Sequence, residues 1–118
     1  MAEDKVLKVT DADFASAVLE SDLPVLVDFW ADWCAPCHVV APEVEALAEQ
    51  LAGRVKVAEL DIDENPETAA RHGVMSIPTL ALFVGGNERT RMLGARRRDA
   101  IRAEIERHLE TSTEAKTD

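Results

Sequence analysis

Cysteine, clustered positive charge and long apolar runs are scarce in these 118 residues: two cysteines, and 13 lysines and arginines against 23 aspartates and glutamates. Two cysteines do not make the disulfide framework of a small secreted scaffold, and a chain of this length buries a core without one. The net charge of −10 disfavours nucleic acid as a partner, because phosphate contacts need grouped lysine or arginine. No apolar run approaches the ~20 residues that cross a bilayer, so no membrane span is expected. Residues 1–9 hold no apolar stretch of the signal-peptide kind. With so few cysteines, this sets the expected location in a reducing cytoplasm. The chain reads as one domain over residues 1–109, with 110–118 an expected frayed tail.

Charge is unevenly spread. Residues 1–70 carry 4 basic and 16 acidic side chains, whereas 71–118 carry 9 and 7. Arg96-Arg97-Arg98 is the one dense basic run. It reads either as a solvated helix start or as a rim contact for acidic partners. As a helix start it is awkward, since positive charge there opposes the dipole.

The apolar pattern predicts the order βαβαβαββα, an α/β fold with a mixed five-stranded sheet flanked by four helices. Val6–Val9 is a short strand. Thr10 and Asp13 have the spacing of a capping box ahead of Phe14, Ala17 and Val18, and Pro24 ends that helix. Residues 25–30 are apolar on both faces, which predicts a central, mostly parallel strand. A long helix is expected from near Cys34 to Ala52, interrupted by Pro42, with Val39, Val40, Val44, Leu47 and Leu51 in the core. Residues 55–62 form a third strand, and Asn65-Pro66 an N-cap and first turn for a short helix. Thr79–Val84 and residues 88–93 form a hairpin around Gly85-Gly86-Asn87, and a last helix runs from about Arg96 to Leu109. His72 and His108 read as helix-surface residues.

The two cysteines stand as Cys34-Ala35-Pro36-Cys37, just after the strand Val25–Trp30. A helix N-terminus offers unpaired N–H groups and a positive dipole end, and both favour thiolate, the attacking form. The pair reads as a dithiol that cycles with a disulfide. An inert buried pair or half a zinc site is the alternative, but zinc needs four ligands and the chain has no second C-x-x-C or H-x-x-x-H.

The stretch Trp30-Ala31-Asp32-Trp33-Cys34-Ala35-Pro36-Cys37 resembles the active-site segment of thioredoxins. The likeness extends to Asp28, Pro42, Ile77-Pro78-Thr79 and Gly94, and covers roughly residues 5 to 109. It implies the thioredoxin fold and a thiol–disulfide oxidoreductase that reduces disulfides in other proteins. Cys34 would attack, and Cys37 would resolve the mixed disulfide. Asp28 would relay the proton for Cys37, and Pro78 would be a cis-proline beside the dithiol. Trp33, Ala35, Pro36, Ile77, Pro78, Leu93, Gly94 and Ala95 would dock the substrate. The resemblance also implies a monomer with no bound cofactor or metal, recharged by a flavin-containing thioredoxin reductase that draws on NADPH.

Three residues depart from the family pattern. Glu59 stands where many thioredoxins have lysine. If it faces Asp28, the two carboxylates repel and at least one pKa rises; if it turns to solvent, they do not. Ala35 replaces a glycine, stiffening the helix start. His38 takes the place of lysine or arginine four residues after Cys34, and its protonation would favour the Cys34 thiolate. Two rival readings are kept: an oxidant or isomerase of the same fold, and a non-catalytic subunit that uses the docking face alone.

Overall fold

The computed structural model describes residues 5–117 of the chain, with side chains over 5–109. Five strands, β1 (Val6–Lys8), β2 (Val25–Trp30), β3 (Lys56–Asp61), β4 (Thr79–Val84) and β5 (Asn87–Leu93), form one sheet in the order β1-β3-β2-β4-β5. β1 and β2 run parallel to β3 on either side of it, while β4 and β5 are antiparallel additions. The helical segments are α1 (Ala35–Gln50), α2 (Pro66–Arg71), α3 (Arg98–Thr117) and a π-helix at Ala15–Leu19. This is the mixed α/β sheet with four helical segments that the apolar pattern predicts. β2 is central as expected, although one of its two neighbours is antiparallel. The last helix ends at Thr117 rather than at Leu109 and so runs through the expected tail, whose side chains lie outside the described residues.

Period-two alternation along β2 divides the core. Leu26 faces α1 and α3, where it joins Val40, Val44, Leu47, Ile101 and Ile105. Val25, Val27 and Phe29 face the other way, toward Phe14, Val18 and Ala69 beside the π-helix and α2. Each fully buried Leu or Phe contributes about 1.5–3 kcal/mol. Because Asp28 is two residues from Leu26, the pleat delivers its carboxylate to the α1 face. The same argument places Glu59 there, two residues beyond Val57, which packs in the α1 core.

Three local expectations are corrected. The first helix is a single wide turn, closed by Glu20 N–H to Ala15 O at 2.9 Å, because only a short span separates its start from Pro24. The reciprocal Thr10–Asp13 hydrogen bonds of the predicted capping box do form ahead of it, at 2.7 and 3.3 Å. Asn65 does not cap α2 with its side chain. Asp11 does so from the loop after β1, accepting the Glu67 and Thr68 N–H groups at 3.1 and 2.8 Å, while Asn65 Oδ1 accepts the Asp11 N–H. α3 starts at Arg98 rather than Arg96. Glu43 of α1 accepts both the Arg98 N–H (2.9 Å) and its Nε–H (3.3 Å). An imported carboxylate at the helix terminus thus offsets the dipole conflict of the arginine run.

The β4–β5 turn is the two residues Gly85 and Gly86, with φ of 60° and 84°, and Asn87 already belongs to β5. Two consecutive positive φ values match the twist of the flanking strands. Gly86 also lies against the π-helix, where a Cβ would stand 2.9 Å from Leu19 O.

Candidate active site

Where β2 ends, the chain turns through Ala31–Trp33, and Cys34 caps α1 in an extended conformation (φ −93°, ψ 105°). The Cys37 N–H donates to the Cys34 sulfur at 3.2 Å and to the Cys34 carbonyl at 3.1 Å. Pro36 falls in the first turn, where its missing N–H costs nothing. Cys34 and Cys37 are joined as a disulfide with Cα atoms 5.3 Å apart. Both are buried with Ala31, and Trp30, Ile62 and Ile77 pack against them.

Beneath the disulfide, Asp28 is 5% exposed, and its Oδ1 has no hydrogen-bond partner among the described residues. Burial, and then the charge of Glu59, push the Asp28 carboxyl up to about 7. Glu59 is directly across the β2–β3 register from Asp28 and is half-buried. Its own carboxyl is raised by burial, with Glu45 and Asp61 adding to the effect and Lys8 of β1 opposing it. An open cleft of about 190 Å³ joins these groups, lined by Asp28, Trp30, Cys37, His38, Glu45 and Glu59 among others. The carboxylate of Asp28 and the sulfur-bearing Cys37 therefore share one solvent-connected space. The His38 ring sets Nε2 2.7 Å from the Asp32 carbonyl and meets Trp30 edge-on at 6.2 Å.

Large apolar side chains are exposed toward the disulfide end of the sheet. Four of the five large exposed hydrophobic side chains among the described residues are Trp33 (69%), Val39 (67%), Met75 (94%) and Leu93 (56%). Trp33 Nε1 donates to Asp63 Oδ2 at 2.8 Å, which fixes the indole while leaving it open to solvent. The Ile77–Pro78 bond is cis, and the Pro78 carbonyl accepts the Gly94 N–H at 2.9 Å, tying the β4 entry to the β5 exit. Gly94 takes φ of 84° there, and Ala35, Pro36 and Ala95 are exposed.

The sequence-predicted residues thus come together on one end of the sheet. Val39 is a correction: the apolar pattern assigns it to the core, but α1 turns it outward beside Ala95. His72 is another, since its ring packs against Phe14 and Phe83 at 5.3 and 5.5 Å, and burial lowers its pKa. Sequence reasoning missed Met75 and Asp63. Met75 had a signal, a large apolar residue in a loop two positions before Ile77; Asp63 had none.

A dithiol–disulfide pair held at a helix N-terminus, over a buried carboxylate and within an apolar rim, defines a protein of thiol–disulfide exchange. A family model described as Thioredoxin matches residues 5–107. The chain is 52% identical to the thioredoxin of Mycobacterium tuberculosis over 99 residues, covering 84% of this chain and 85% of that one. It is 47% identical to "Thioredoxin 1" of Nostoc sp. over 102 residues, covering 86% and 95%. The chain belongs to the thioredoxin family.

Proposed function

We propose that this protein reduces disulfides in other proteins through Cys34 and Cys37. The observation that carries the reading is the Cys34–Cys37 disulfide capping α1 inside an exposed apolar rim. In the reduced protein, the Cys37 N–H and the dipole of α1 favour negative charge on the Cys34 sulfur. Cys34 thiolate attacks one sulfur of a substrate disulfide, forming a mixed disulfide and expelling one substrate thiolate. Cys37 then gives its proton to Asp28, through the shared cleft, and attacks the Cys34 sulfur. The second substrate thiolate leaves, and two electrons have passed from the chain to the substrate. The electrons reside on the two sulfurs, so no bound cofactor enters the reaction.

Glu59 and His38 tune this step, one by holding the Asp28 carboxyl high and the other by adding positive charge to the start of α1 when protonated. Trp33, Ala35, Pro36, Ile77, Pro78, Leu93, Gly94 and Ala95 receive the substrate, whose extended backbone pairs beside Pro78. A flavin-containing thioredoxin reductase returns the electrons from NADPH, and the protein works as a cytoplasmic monomer. Among the described residues no helix is long and apolar enough to cross a membrane. The test is insulin disulfide reduction driven by NADPH and a thioredoxin reductase. Wild type turns over, Cys34→Ser does not, and Cys37→Ser accumulates a mixed disulfide. Turnover by Cys34→Ser overturns the assignment.

A further inference from the structure

Five arginines of this acidic chain, Arg54, Arg91, Arg98, Arg102 and Arg107, each reach a carboxylate. Among the described residues Arg71 and Arg89 do not, and neither do the adjacent Arg96 and Arg97. Arg96 and Arg97 are exposed, and their guanidiniums make no hydrogen bond or ion pair with the described residues. They line a groove of about 230 Å³ with Val39, Glu43 and Ala95. Glu43 is the groove's own carboxylate, and it is already engaged by the Arg98 N–H and Nε–H. Asp99 lies on the far side of Arg97, in the first turn of α3. The groove flanks the segments that carry the disulfide and the cis-proline. Val39 lies two residues beyond Cys37, and Ala95 follows the Gly94 that donates to the Pro78 carbonyl.

Across α1 the charge reverses. His38, Ala41 and Glu45 line the acidic cleft, whereas Val39 and Glu43 line the arginine groove. At 3.6 residues per turn those two sets stand roughly 100–150° apart around the helix axis. The disulfide therefore sits between a carboxylate-lined flank (Asp28, Asp32, Glu45, Glu59) and a guanidinium flank. Resting on the redox reading above, we propose that the Arg96–Arg97 groove is a docking surface for substrate proteins with acidic residues beside the disulfide to be reduced. The apolar floor of Val39 and Ala95 takes aliphatic parts of the segment, and the two guanidiniums take its carboxylates. A carboxylate on the opposite side meets the acidic flank and is repelled, so the polarity also selects one orientation of approach. The net charge of −10 acts against such substrates from a distance. At physiological salt the Debye length is about 8 Å, so the nearest charges decide the contact.

The experiment uses the full-length reduced protein and two cyclic peptide disulfides of equal length. One carries two glutamates flanking one cysteine, and the other has glutamines in their place. Second-order reduction rates are read from tryptophan fluorescence at about 0.15 M and about 0.6 M salt. The expected ratio of acidic to neutral rates is about three- to ten-fold at the lower salt, shrinking toward one at the higher. The double variant Arg96→Gln/Arg97→Gln brings the low-salt ratio to about one, and Arg96→Glu/Arg97→Glu takes it below one. Equal wild-type rates, or a ratio that survives in the glutamine variant, overturn the docking surface while leaving the redox reading standing. Failure of the wild type to reduce either peptide overturns the redox reading, and the docking surface with it.

Discussion

Replacing Asp28 by asparagine isolates the energetic consequence of burying a carboxylate under the disulfide. In the folded protein the Asp28 carboxyl is pushed up to about 7 from an ordinary 3.8, chiefly by burial and then by Glu59. The folded state therefore holds a proton over a range where the unfolded chain has lost it. The stability associated with this proton is fully present below about pH 4 and is lost as pH rises through about 7. At about 1.4 kcal/mol per pKa unit, the loss reaches about 4 kcal/mol, a large part of the stability of an ordinary domain. The asparagine of the variant cannot ionise, so this slope disappears. Its amide inherits the site where Oδ1 has no partner, and the resulting cost is the same at every pH. The measurement is urea unfolding of the oxidised protein, wild type and Asp28→Asn, at about pH 4.5, 6 and 8. The variant's stability relative to wild type should climb by about 2–4 kcal/mol across that range, most of it before about pH 7.5. A difference that stays constant with pH refutes the reasoning, whatever its absolute size.

Glu59→Gln removes the second cause of the Asp28 shift, so the Asp28 titration followed by side-chain carboxyl NMR should move to lower pH; an unmoved midpoint excludes the coupling. Gly86→Ala forces a side chain into φ of 84° and against Leu19 O, and should cost about 1–3 kcal/mol in denaturant unfolding; a neutral result rules out the close approach. Glu43→Gln weakens the cap of α3, and about 0.5–2 kcal/mol of stability should go with it; no change would mean that the Arg98 contacts contribute nothing. His38→Gln should slow Cys34 alkylation by iodoacetamide; rates equal to wild type remove the histidine from the tuning of the thiolate.

What the residues determine by themselves is whatever depends on neighbours in the chain. The pair Cys34 and Cys37 at a helix start, the span of β2, the hairpin glycines and the period-two position of Asp28 all rest on spacings of a few residues. Local sterics and apolar periodicity suffice to read them. Asp28 beside Glu59 was legible only as a choice between facing and turning away, and the β2–β3 register made that choice. The caps of α2 and α3 were not legible, because Asp11 and Glu43 reach across 57 and 55 residues of sequence to Thr68 and Arg98. Val39 outside and His72 among the phenylalanines follow the same rule. Burial is a property of the packed surface around a side chain, and only the assembled sheet and helices decide which face of α1 or α2 meets water.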